Sequence, residues 1–120
     1  MRIWDFRLIE VLPKAQLKAM RYEIGDMIKQ YPNIKNRLVK YANDYDIAYL
    51  YYYFNEVLKE FDKRGINHKA NYDLEIKKNV FKKSNSPILP LKLIFPEHND
   101  RYLKQCLFNL QEKADRRYYK

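Results

Sequence analysis

From Ile47 to Phe61 the apolar side chains recur every three or four residues, at Ile47, Leu50, Tyr51, Phe54, Val57, Leu58 and Phe61. At about 100° per residue this spacing draws one stripe along an α-helix, whereas a half-buried strand would alternate. The run closes in Lys63, Arg64 and Gly65. Two cations suit the negative end of a helix, and glycine readily takes the left-handed turn that ends one. Upstream, Asn43, Asp44 and Asp46 offer side-chain oxygens to cap the first turn. A stripe of this length must be buried against other elements, and the rest of the chain supplies mostly helices.

Two further stretches share the period. After Pro13, a helix-entry residue, Leu17, Met20, Ile24, Met27 and Ile28 line one face, and Pro32 ends the run. Asn99 or Asp100 caps a last helix carrying Tyr102, Leu103, Cys106, Leu107 and Leu110. The short basic stretch from Asn33 to Tyr41 is open to a further helix. Between Ile66 and Pro96 the pattern weakens. Tyr72, Leu74 and Ile76 alternate over too few residues to make a strand, and Lys77 to Lys83 form a basic patch around Phe81. Residues 84–96 hold three of the five prolines and read as an extended, packed connector. The expectation is an all-α fold of three main helices with long connections, residues 1–120 forming one domain.

Composition narrows the function. With 47% hydrophobic and 32% charged residues among 120, the chain is globular in character. Two glycines are too few for Gly-rich phosphate loops. The single cysteine, Cys106, excludes an intramolecular disulfide framework and a cysteine-based zinc site, and its place on an apolar helix face fits a buried thiol. No apolar run approaches the ~18 residues of a membrane span. Asp5 and Glu10 interrupt the opening MRIWDFRLIEVL, which therefore does not read as a secretory signal, and a reducing, cytoplasmic setting is the expectation. His68 and His98 lack partners at metal-ligand spacing and read as structural, so neither metal nor cofactor is expected. Lys and Arg number 24 against 15 Asp and Glu, a net charge of +9, and there are 12 tyrosines. AT-rich codon usage accounts for part of the Lys and Tyr content but not for the excess of cations over anions. Cations that neutralise phosphates and rings that stack on bases point to nucleic acid.

MRIWDFRLIEVLPKAQL followed by Glu23 resembles the N-terminus of the pyrimidine-dimer DNA glycosylase/AP lyase family, the phage endonuclease V type and its small bacterial relatives. KRGIN, Lys63 to Asn67, resembles the exit of that family's central helix, and IFPEHNDRYLKQCLFNLQEK, Ile94 to Lys113, resembles the C-terminal helix of the bacterial members. The resemblance implies a compact three-helix fold that binds damaged double-stranded DNA as a monomer and takes a nucleotide out of the stack. It also implies an N-terminal α-amine that attacks the sugar C1′, expels the base and forms a Schiff base before β-elimination. A glutamate on the first helix serves this chemistry without a metal.

The residues are compatible with those roles. An α-amine has a pKa of about 7.7–8.0, so part of it is neutral and nucleophilic at physiological pH. Arg2 is too bulky for removal of the preceding methionine, so Met1 would carry the amine. Glu23 lies roughly 90° from the centre of the Leu17/Ile24 stripe, on a flank shared with Gln16, where a partly shielded carboxylate could stabilise a cation or move a proton. Arg2, Arg7, Gln16 and Arg21 are candidate DNA contacts near it. Lys77, Lys78, Lys82 and Lys83 are candidate backbone contacts, and Arg116, Arg117, Tyr118 and Tyr119 resemble the basic, aromatic C-terminus of the phage enzymes. Two departures stand out. The family's aromatic-Arg-Glu order is Arg21-Tyr22-Glu23 here, and a basic position three residues after the glutamate is Asp26. They put dimer recognition in question, and a non-catalytic basic nucleic-acid-binding module is the alternative.

Overall fold

The computed structural model describes residues 2–84 and 92–115. Its helices are α1 (Lys14–Gln30), α2 (Ala48–Lys63), α3 (Ala70–Lys83) and α4 (Asp100–Asp115), with 3₁₀ helices over Phe6–Val11 and Lys40–Asp44. There is no strand among the described residues.

The two stripes read from the sequence make the centre. Leu17, Met20, Ile24, Met27 and Ile28 of α1 face Leu50, Phe54, Val57 and Phe61 of α2, and all are buried. Each such side chain contributes roughly 1.5–3 kcal/mol of transfer free energy. The ends of α2 follow the expected chemistry. Asp46 Oδ1 accepts the Ala48 N–H at 2.9 Å. At the other end Ile66 N–H donates to the Phe61 carbonyl (2.8 Å) and Gly65 N–H to that of Asp62 (3.1 Å), with Gly65 at φ 69°. This is a Schellman closure, which a side chain at Gly65 would strain. α1 stops at Tyr31, which is joined to Pro32 by a cis peptide bond.

Three expectations need correction. Asn33 to Tyr41 forms turns, with only the short 3₁₀ helix beginning at Lys40. That loop is held by Asn43, whose side chain accepts the Ile34 N–H (3.0 Å) and donates to the Ile34 carbonyl (2.9 Å). Residues 70–83 form a fourth long helix. Only Ile76 and Val80 of α3 are buried, with Tyr72 partly so, and Leu74 is 51% exposed. A stripe one side chain wide is hard to see between charges, and the Tyr72/Leu74/Ile76 alternation was incidental to it. On α4, Asn99 caps as expected, Oδ1 accepting the Tyr102 N–H at 3.0 Å, and Cys106 is buried. Leu107, however, is 47% exposed, so the covered face is narrower than the stripe.

α3 approaches α1 at Gly25. A Cβ there would lie 2.0 Å from the Tyr72 hydroxyl oxygen, so the tyrosine occupies the space a side chain would need. The described part of the connector is packed as expected. Phe95 is buried, with its ring centroid 5.3–5.6 Å from those of Tyr41, Tyr45, Tyr49 and His98. Residues 85–91 of that connector lie outside the described residues.

Candidate functional site

The N-terminal segment is buried along the core instead of hanging from it. Ile3, Trp4 and Asp5 are at most 4% exposed. Their carbonyls are claimed by tyrosines: Tyr53 donates to Trp4 O at 2.6 Å, and Tyr102 donates to Ile3 O. Asp5 accepts the Arg7 N–H at 3.0 Å, which caps the first 3₁₀ helix, and takes the Arg7 guanidinium on both oxygens (3.0 and 3.1 Å). Arg7 reaches on to Asp100 at the start of α4, 2.7 Å away. Neighbouring elements thus fix the backbone from Ile3 to Arg7, and with it where residue 2 lies.

Residue 2 lies against Glu23. The carboxyl of Glu23 is half-buried on α1, and burial raises its pKa above the usual carboxylate range. Opposing this are the positive charge of the amino terminus, the ammonium of Lys113, and a hydrogen bond from the Arg2 backbone; Asp26 adds a small push upward. A carboxyl with raised proton affinity among positive charges can accept a proton from a neighbouring amine or stabilise a developing cation. Lys113 was not singled out from the sequence. It stands in the C-terminal stretch that carries the resemblance, but only the packing of α4 brings it toward α1.

The other candidates fall in several places. Arg2 is half-buried, with its guanidinium 5.3 Å from the centre of the Trp4 ring. Gln16 is half-buried two turns before Glu23 on α1. Arg21 is buried, 2% exposed, and turned onto α3. It donates to Asp73 Oδ1 (2.8 and 3.0 Å) and to the Lys69 carbonyl (3.0 Å), lying over the rings of Tyr72 and Tyr22. Two residues before Glu23, it lies on another side of α1, and exposed Tyr22 stands next to Glu23. Lys77, Lys78 and Lys82 are exposed on α3, Lys77 above exposed Phe81. Lys83 instead donates to the carbonyls of Ile28 (2.9 Å) and Lys29 (2.6 Å), at the negative end of α1. Met1, Arg116, Arg117, Tyr118 and Tyr119 lie outside the described residues.

The histidines have separate environments. His68 bridges α2 and α3, between Asp62 (2.9 Å) and Asp73; the Asp73 hydrogen bond is the main cause of its raised pKa. His98 is buried, and burial lowers its pKa to about 4. Among the described residues no group of three or more His, Cys, Asp or Glu side chains is placed to hold a metal ion, and no helix is long and apolar enough to cross a membrane.

The model of a family described as pyrimidine dimer DNA glycosylase covers residues 1–74, which contain the N-terminal segment, α1 with Glu23, and α2. No curated protein and no solved structure matches.

Proposed function

The chain belongs to the pyrimidine dimer DNA glycosylase family, a DNA-repair family, and from that premise we propose that it cleaves damaged DNA as a glycosylase with AP lyase activity, through an N-terminal amine. The supporting observation is the buried N-terminal segment that sets residue 2 beside the half-buried carboxyl of Glu23. The substrate is duplex DNA carrying a pyrimidine-dimer-like lesion or an abasic site.

In this reading the neutral amine of Met1 attacks C1′ of the damaged nucleotide. The C1′–N bond breaks and its electron pair leaves with the base; the C1′–O4′ bond then breaks, its pair goes to O4′, which takes the proton the amine shed, and a protonated imine remains. A proton is then lost from C2′, and the C3′–O bond to the phosphate breaks. Glu23 accepts the proton the amine must shed and stabilises the cationic imine. Extrusion of the nucleotide costs a few kcal/mol, least where the duplex is already damaged. Arg2 and the exposed Lys77, Lys78 and Lys82 supply phosphate affinity without reading sequence. The tail from Arg116 to Tyr119 is assigned the same role on the strength of its composition.

The test uses untagged protein, a duplex with one abasic site, and borohydride to reduce the imine to a stable cross-link. The expected result is a trapped complex that disappears when the N-terminus is extended and falls at least 100-fold in rate in Glu23→Gln, with duplex binding retained. Salt-sensitive binding without any trapped complex would replace this reading with the non-catalytic binding module.

A further inference from the structure

A cavity of about 520 Å³ opens between the first 3₁₀ helix, α2 and residues 92–98. Arg2, Glu23, Asp26 and Lys113 do not line it, so it is separate from the site described above. Its size falls in the range of small-molecule sites.

The rings of Phe6, Tyr52, Tyr53, Phe95 and His98 share the walls with seven charged side chains. His98 Nε2 meets the Tyr41 hydroxyl at 3.1 Å, which seats its ring in the wall.

The charges at the rim are not balanced. Lys59 pairs with Glu56 and Arg7 with Asp5 and Asp100, while Glu60 is taken by Arg64. Among the described residues Lys63 and Lys92 have no carboxylate within ion-pair distance, and Glu10 is the one lining carboxylate left to oppose them. Lys92 lies over the Phe6 ring, 5.8 Å from its centre, so it borders the aromatic wall.

We propose that this cavity is a second binding site, for a flat aromatic ring that carries one anionic group. The ring packs among Phe6, Tyr52 and Phe95, and the anionic group meets Lys63 and Lys92. A nucleoside monophosphate and an aromatic carboxylate share this chemistry.

The experiment titrates the full chain with AMP and, separately, with 2-naphthoate, following ¹H–¹⁵N amide shifts and binding heat. At least one probe is expected to bind saturably at one site, shifting the amides of Phe6, Phe95 and His98. Lys63→Met combined with Lys92→Met should weaken that binding at least tenfold while leaving the fold intact, both lysines being at the rim. Which probe binds identifies the kind of anion. The idea is overturned if neither probe saturates, or if the double lysine variant binds the probe as well as wild type. It is also overturned if a damaged duplex displaces the probe, because the cavity would then belong to the DNA interface. Since the readout involves no cleavage, failure here is distinguishable from failure of the glycosylase reading.

Discussion

Replacing Arg21 by methionine separates two roles that its position two residues before Glu23 allows. As a phosphate contact it would face solvent, and its loss would cost stability little, about 0.5 kcal/mol or less. The structure instead buries it, its side chain 3% exposed against an Asp73 side chain 15% exposed. Three hydrogen bonds leave the guanidinium, two to Asp73 and one to the Lys69 carbonyl. Removing one member of a buried pair typically costs about 3–5 kcal/mol, because the partner is left uncompensated. Asp73 keeps His68 as a partner, which moves the expectation to the lower end. The lost contact with the Tyr72 ring adds roughly 0.5–1 kcal/mol. Methionine preserves much of the apolar stem. The expected loss is therefore about 3–4 kcal/mol, a large part of the 5–15 kcal/mol of a typical domain. It corresponds to a fall in Tm of roughly 10–15 °C for a chain of this size. Urea unfolding reports it directly, with the fluorescence of the single, buried Trp4 as probe. Duplex affinity of the folded fraction, and its slope against log salt, should stay unchanged. A variant as stable as wild type whose salt slope has dropped by about 0.9 would refute the argument and restore Arg21 to the DNA contacts.

Gly25→Ala should cost about 1–3 kcal/mol, since the new methyl meets the Tyr72 hydroxyl; in a Tyr72→Phe background the penalty should shrink, and a double-mutant cycle showing no coupling would contradict this packing. The two histidines should give opposite pH dependences in thermal unfolding. The pKa of His68 is raised in the fold, so its contribution is complete below its unfolded value near 6.5 and is lost as pH rises through the folded value; His68→Gln should flatten the decline above pH 6.5. His98 is held neutral, with its folded pKa near 4, so protonation of the unfolded chain should erode stability as pH falls from about 6.5 toward 4; a His98→Phe profile identical to wild type over that window would be evidence against its burial. Lys83→Met removes a donor to two carbonyls at the end of α1 and should cost about 1–2 kcal/mol, whereas Lys78→Met, on the exposed face of α3, should leave stability within about 0.5 kcal/mol.

The sequence was most informative where interactions are local. The stripes of α1 and α2, the Gly65 closure, the caps at Asp46 and Asn99, and the proline that ends α1 all depend on residues within a turn or two of one another. The family resemblance rested on the same segments, and the family match covers two of them, the N-terminus with Glu23 and the helix ending at Gly65. α3 was hidden because its buried stripe is one side chain wide and its charged residues fill the other faces. Periodicity gives the direction of the α4 stripe but not the width that neighbours cover, which is why Leu107 is exposed.

Legible along the chain are the helical class, the ends of the central helix, and the flank of α1 on which Glu23 stands. The backbone hydrogen-bonding period and the chemistry of caps act over a few residues, so they can be read along the chain. Tertiary packing chose the partners of charges far apart in sequence. It drew Arg21 onto Asp73, set Lys83 on the carbonyls of α1, placed Lys113 near Glu23, and left Lys63 and Lys92 at the mouth of the cavity beside the first 3₁₀ helix. A charged side chain takes the partner that packing and desolvation leave within reach, and residues far apart in sequence meet only when the helices close on one another.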